Sequence, residues 1–215
     1  VIVEMTRPRQ LPGDKPYAQE ESPEIIIRET NLEIPFKFTT DSYQLLAKLI
    51  SFDTGRNKLI VKDIVEQSGL GRKVLLLSER KDHLEVLALY LKGVCETILI
   101  TGEDSKAGRE SKLKQIEAGD YQAILSTGQF FGEGLDIRSI DCLILAFPFS
   151  FEGKLLQCIG RLRGARQRRI IIDYEDQKIP FLERQFKQRK RCYKKLIREF
   201  QYRSKADSRF PVVPS

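Results

Sequence analysis

Residues 127–161 read TGQFFGEGLDIRSIDCLILAFPFSFEGKLLQCIGR: a glycine-rich acidic loop, an apolar run, and then a helix carrying Gln157, Gly160 and Arg161. Gly132 and Gly134 let backbone approach a ligand where a side chain would block it, and Asp136 supplies a carboxylate that accepts hydrogen bonds from sugar hydroxyls. Arg161, roughly two dozen residues further on, carries a fork of donors matched to phosphate oxygens. Gly160 inside a helix costs about 1 kcal/mol against alanine, which points to close packing or close approach at that turn. Together these pieces suit a nucleotide held between this domain and another.

The elements that must position them alternate. VLLLS at 74–78, TILIT at 97–101, AILS at 123–126, CLILAF at 142–147 and RIII at 169–172 are nearly continuous apolar runs, as strands covered on both faces require. Between the first runs lie helical patterns, one with Leu84, Leu87, Ala88 and Leu91 in register and a polar one from about Ser105 to Ala118. A parallel sheet flanked by helices, an α/β fold of five strands with right-handed crossovers, is the economical topology. Ligands of such sheets sit beyond the carboxyl ends of the strands, so Ser78, Arg80, Thr101 and Gly102 either cap the strand ends or are candidates for contact with a polyanion backbone.

Upstream, residues 7–24 have the proline-rich, charged composition of a linker, and EIIIR at 24–28 and IPFKF at 34–38 are short extended runs. A helix is expected from Asp41, with Leu45, Leu46, Leu49 and Ile50 on one face, and a second from Asn57 to Ser68 ended by Gly69. Arg56 and Asn57 between them are expected at the surface. The last helix opens near Pro180, with Phe186 and Tyr193 facing the core between Arg189, Lys190, Arg191, Lys194 and Lys195. The domain organisation read from these patterns is an extended and helical lead-in over 1–71, the sheet domain over 72–203 and a tail over 204–215.

Charge is unevenly spread. Residues 1–150 hold 19 Lys and Arg against 23 Asp and Glu, whereas residues 151–215 hold 18 against 7, so the whole net charge of +7 comes from the last third. Such a concentration is the footprint of a nucleic-acid partner, although solvated helix faces also carry it. Cys95, Cys142, Cys158 and Cys192 have no CxxC spacing and read as buried reduced thiols; no metal site is expected. The single histidine, His83, falls early in a helix, where a surface or capping role is expected. With no apolar run of membrane-spanning length and no signal peptide pattern, a soluble, cytoplasmic protein is expected. The opening on Val1 reads as a piece of a longer polypeptide.

The order of LLLSERKDHLEVL, STGQFFGEGLD and QCIGRLRGAR resembles the second, C-terminal RecA-like domain of superfamily 2 helicases from about residue 72 to 200. GEGLD with LILAFPFSFEGKLLQCIGRL is closest in phrasing to helicases of bacterial and phage DNA restriction or conflict systems. The resemblance implies an ATP-dependent helicase. Thr127 and Gly128 would meet the nucleic-acid backbone, DNA in preference to RNA, while Gly132, Gly134 and Asp136 face ATP. It gives Arg161 the part of an arginine finger at the γ-phosphate, and Gln157, one turn earlier on the same face, the part of sensing it. The family pattern places a second arginine at position 164, where this chain has Gly164; Arg163 or Arg166 compensates, or the ATPase is weakened. No GxxxxGK[ST] loop and no DExH motif occurs, so ATP and Mg2+ would be held mainly by a first RecA-like domain, in cis or in trans. The chain alone is then expected to be inactive. A non-catalytic nucleic-acid-binding module on a degenerate RecA-like fold, and a structural or interaction domain, remain the rival readings.

Overall fold

A computed structural model describes residues 22–128, 130, 140–148, 159 and 168–207. Among them, six strands form one sheet: β1 (Glu24–Glu29), β2 (Val74–Ser78), β3 (Thr97–Ile100), β4 (Ala123–Thr127), β5 (Cys142–Leu145) and β6 (Ile170–Glu175). The helices are α1 (Tyr43–Phe52), α2 (Thr54–Gly69), α3 (Lys81–Leu91), α4 (Lys106–Ala118) and α5 (Pro180–Asp207). Every pairing is parallel, in the order β1-β6-β5-β2-β4-β3. The sheet thus has one strand more than expected, because the EIIIR run pairs with β6 as the edge strand; IPFKF forms no strand.

Alternation along each strand builds two cores. Leu75, Leu77, Ile124, Leu143, Leu145 and Ile171 point to the face covered by α4 and α5, where Ile116, Tyr193 and Leu196 lie. Val74, Leu76, Leu125, Cys142, Ile144 and Ile172 point to the other face, covered by Ile60 and Ile64 of α2 and by Leu84, Leu87 and Leu91 of α3. Both faces are dry, which is why these strands read as unbroken apolar runs. A third cluster sits beyond the sheet, where Leu46, Ala47 and Ile50 of α1 meet Phe147, Ile179 and Leu182. Leu45, expected on the inner face of α1, is half exposed. β1 and α2, both upstream of residue 72, pack into the same layers as the rest.

α2 begins earlier than its apolar pattern suggests. Asp53 caps it, accepting from the Arg56 amide at 2.7 Å, and the first turn is therefore helical before Asn57. Its inner face carries Arg56, Asn57, Asp63 and Gln67 beside Ile60 and Ile64, all buried. Gly71 follows in the left-handed region at φ 77°, where glycine carries no steric penalty. Cys95, Cys142 and Cys192 are buried and none of them forms a disulfide among the described residues; Cys158 lies outside the described residues. No helix among the described residues is long and apolar enough to cross a membrane.

α5 is held to the sheet by a buried charge pair. Arg189 donates to Asp173 of β6 through Nε at 2.7 Å and Nη2 at 3.2 Å, and the Tyr193 hydroxyl donates to the same carboxylate at 2.7 Å. Asp173 is 1% and Arg189 3% exposed, so either charge left alone would be stranded away from water. Arg189→Ala is expected to cost about 3–5 kcal/mol, the price of breaking a buried pair from one side, measured by urea denaturation of the chain; a loss under ~1 kcal/mol would show that the pair does not anchor α5.

Candidate nucleic-acid interface

Parallel pairing brings the ends of β2, β4 and β3 side by side in that order, and the turns that follow them enclose a groove of about 480 Å3. Arg80, Thr101, Gly102 and Thr127 line it, together with Lys81 and Phe130. Four of the six strand-end residues expected to meet a backbone are therefore brought to one place. Ser78 and Gly128 lie behind this surface, both buried.

Each wall has a local cause. After β3 the chain turns back because the Thr101 amide donates to Asp104 at 2.8 Å and the Glu103 amide to the Thr101 hydroxyl at 3.4 Å. Arg109 reaches back from α4 to the Gly102 carbonyl at 3.1 Å and lies 4.9 Å over the ring of Phe130, a lining residue. At the end of β4 the Thr127 hydroxyl accepts from the Phe130 amide at 3.4 Å, as a helix cap does. Arg80 is extended, at φ −123° and ψ 125°, and its guanidinium bridges Gln44 of α1 at 3.0 Å and Asp82 at 3.4 Å. Lys81 is paired with Glu103 at 2.5 Å, which pushes its pKa up, and lies 3.6 Å from Glu85. The groove's cations are thus pre-paired with carboxylates that a phosphate would have to displace.

Behind the groove lies a buried polar cluster that the sequence did not announce. Arg56 and Asn57, expected at the surface, are 2% and 0% exposed, and His83, expected at the surface or as a cap, is 0% exposed. Arg56 donates through Nε to Asp176 at 3.0 Å and through Nη1 to the Ala146 carbonyl at 2.5 Å. Asp176 also accepts from the Thr30 hydroxyl at 2.5 Å. Asn57 donates to the Ser51 carbonyl at 2.9 Å, its oxygen lies 3.0 Å from His83 Nε2, and His83 Nδ1 lies 3.1 Å from the Ser78 hydroxyl. Burial, and then the neighbouring Arg56 charge, lower the His83 pKa to about 3. The only sequence signal for this cluster is the run of polar residues at helical spacing on α2, and it is ambiguous without the strands it packs on.

Gly132, Gly134, Asp136, Gln157, Arg161, Arg163 and Arg166 lie outside the described residues. Among the described residues no three His, Cys, Asp or Glu side chains converge on a metal-sized site.

A parallel sheet with its groove at the carboxyl edge, preceded by a strand-turn-helix and followed by a threonine-glycine turn, defines a RecA-like lobe. Residues 56–165, just over half the chain, match the model of the helicase conserved C-terminal domain, and the chain belongs to that family. It is similar to transcript termination protein A18 of Fowlpox virus, 26% identical over 127 residues, covering 58% of this chain and 28% of the relative. Against IRC3 of Saccharomyces cerevisiae, a proposed ATP-dependent helicase, it is 27% identical over 145 residues, covering 64% of this chain and 21% of the relative. The matched stretch is thus about a quarter of these relatives' length. Among solved structures, T4 UvsW shares the fold at a TM-score of 0.62 and 16% identity, over 83% of this chain and 40% of that one. The C-terminal part of the Fun30 ATPase domain does so at 0.56 and 14%, over 67% and 53%.

The neutral state of His83 has a measurable cost at low pH. Unfolded, the imidazole takes a proton near its ordinary value of 6.5; folded, it refuses one until about 3. Stability is therefore expected to be unaffected by His83 above pH 7 and to fall between pH 6.5 and 3, by about 1–2 kcal/mol from pH 7 to pH 5. Urea denaturation at the two pH values checks this, and His83→Asn should flatten the dependence.

Proposed function

We propose that this chain is the C-terminal half of an ATP-dependent DNA helicase or translocase, a cytoplasmic motor whose ATP lies between this lobe and a first RecA-like domain. The observation that carries the reading is the convergence of Arg80, Thr101, Gly102 and Thr127 on one groove at the carboxyl edge of β2, β4 and β3. A hydroxyl, exposed amides and a guanidinium are the groups that bind phosphodiester oxygens without reading sequence. Membership of the helicase C-terminal family supports a nucleic-acid substrate. DNA rather than RNA follows the phrasing of GEGLD and the segment after it.

In this reading Gly132 and Gly134 admit the nucleotide, Asp136 takes a ribose hydroxyl, Arg161 meets the γ-phosphate and Gln157 senses its presence, with Arg163 or Arg166 supplying the second phosphate contact. Mg2+ is held mainly by the first domain. Closure of the cleft on ATP and reopening after hydrolysis change the two lobes' grips on the backbone, which converts turnover into stepping. Gly164, where the family pattern has an arginine, favours the second reading, a nucleic-acid-binding module with a weakened ATPase.

α5 adds long-range attraction. Arg184, Lys187, Arg191, Lys194 and Arg198 recur at intervals of three and four along its outer face and are all exposed. Among the described residues, only Lys187 of these five has an acidic partner nearby, Glu183 at 2.6 Å. Such a stripe attracts DNA by counterion release, without sequence preference.

Arg161→Ala in the intact enzyme is expected to lower ATP turnover by roughly three to five orders of magnitude while DNA binding persists; unchanged turnover would remove Arg161 from the mechanism. Replacing Arg184, Arg191, Lys194 and Arg198 by glutamine is expected to flatten the slope of log affinity against log salt by about 0.9 for every phosphate that is no longer neutralised. Binding titrations at several salt concentrations measure that slope, and an unaltered one would leave the stripe a solvated face.

A further inference from the structure

We propose that Asn57 and His83 are positioning residues for the groove, acting through Ser78, and that Ser78 sets the Arg80 turn instead of touching nucleic acid itself. The inference deepens the reading of the groove as a nucleic-acid interface and rests on it. Hydrogen-bond directions along the chain are forced one after another. The Ser51 carbonyl only accepts, so the Asn57 amide nitrogen faces it and the Asn57 oxygen faces His83. That oxygen only accepts, so His83 Nε2 carries the imidazole proton. His83 is buried beside Arg56, an environment that opposes a second proton, and Nδ1 is therefore a bare acceptor. The Ser78 hydroxyl must donate to it, at 3.1 Å.

With its proton committed inward, Ser78 has none for a phosphate oxygen, and at 2% exposure it has little surface from which to offer one. What its oxygen does instead is accept the Arg80 amide at 3.2 Å. The relay thus runs from the last turn of α1, through Asn57, His83 and Ser78, to the backbone of the residue whose guanidinium stands at the groove. Phe147, packed edge-on at 6.2 Å from His83, holds the ring in the plane this needs.

The test uses the intact enzyme and a single-stranded DNA oligonucleotide, reading affinity and the DNA concentration for half-maximal ATP turnover. Ser78→Ala and Arg80→Ala are each expected to weaken DNA binding about tenfold, and the double variant no further than Arg80→Ala alone, because Ser78 acts through Arg80. Additive losses would mean that Ser78 touches DNA directly, and undiminished affinity in Ser78→Ala would also overturn the proposal. His83→Asn leaves an amide oxygen where Nδ1 stands and should retain affinity within about threefold, whereas His83→Gln reaches Asn57 but leaves Ser78 without an acceptor and should lose about tenfold. Equal losses in the two, at matched thermal stability, would reduce His83 to a packing residue. If Arg80→Ala itself leaves DNA affinity unchanged, the reading of the groove fails and not only the relay behind it.

Discussion

A guanidinium is protonated at every accessible pH, so placing Arg56 where it is 2% exposed obliges the fold to bring partners to it. They come from three strand ends. Asp176 follows β6, Ala146 follows β5, and Thr30, which shares the Asp176 carboxylate, follows β1. One charge in the first turn of α2 therefore fixes where that helix begins against the carboxyl edge. The second oxygen of Asp176 is buried with no hydrogen-bond partner among the described residues, so the arrangement does not satisfy every polar atom it gathers there. Its consequence is geometric: once Arg56 is set, Asn57 beside it is aimed at His83, and the groove side of the edge is tied to the β5 and β6 side.

The same logic recurs on either side of the sheet. Asp63 of α2 takes Arg28 of β1 at 2.8 Å and the Tyr174 hydroxyl of β6 at 2.9 Å, while Asp173 takes Arg189 and Tyr193 of α5. Burial beside these carboxylates pushes both tyrosine pKa values well up, keeping each hydroxyl a donor. Three buried carboxylates thus orient α2, α5 and the β1–β6 edge, while apolar area supplies the cohesion. Apolar packing alone would tolerate small slides of a helix along its groove; a hydrogen-bonded carboxylate tolerates far less.

This division explains what is legible in the sequence. The inner strands can be read from it because both faces are dry, and the parallel order follows from the intervening helices. β1 reads as an extended run but not as part of the sheet, since it lies more than forty residues before β2 with two helices between and pairs with β6, the last strand. Arg56 and Asn57 are misread as surface residues because they look like solvated positions until their partners, up to 120 residues away, are folded against them. His83 fails for the same reason: its nearest partner in sequence, Ser78, reads as a backbone contact, and Asn57 as a surface residue. Arg80, Thr101, Gly102 and Thr127 are legible as a group because the strand-end rule needs only the sheet order, whereas Lys81 and Glu103 are not, because their pairing crosses from one turn to the next.

Electrostatics separates the two surfaces that a phosphate backbone would meet. The groove is not strongly basic: Arg80 faces Asp82, Lys81 faces Glu103, and Glu79 lines the same wall. Pairs as exposed as these are weak, so a phosphate can replace either carboxylate at little cost, but a groove so balanced draws no polyanion from a distance. The outer face of α5 has the opposite character, a row of cations with one acidic neighbour, near its start, among the described residues. In the proposed reading, attraction and placement are carried by different elements, one tolerant of any phosphate spacing and the other fixed by the buried relay behind Arg80. If the lobe holds, releases and holds again as proposed, keeping the two apart serves it, since a groove that both attracted and fixed the strand would resist letting it go.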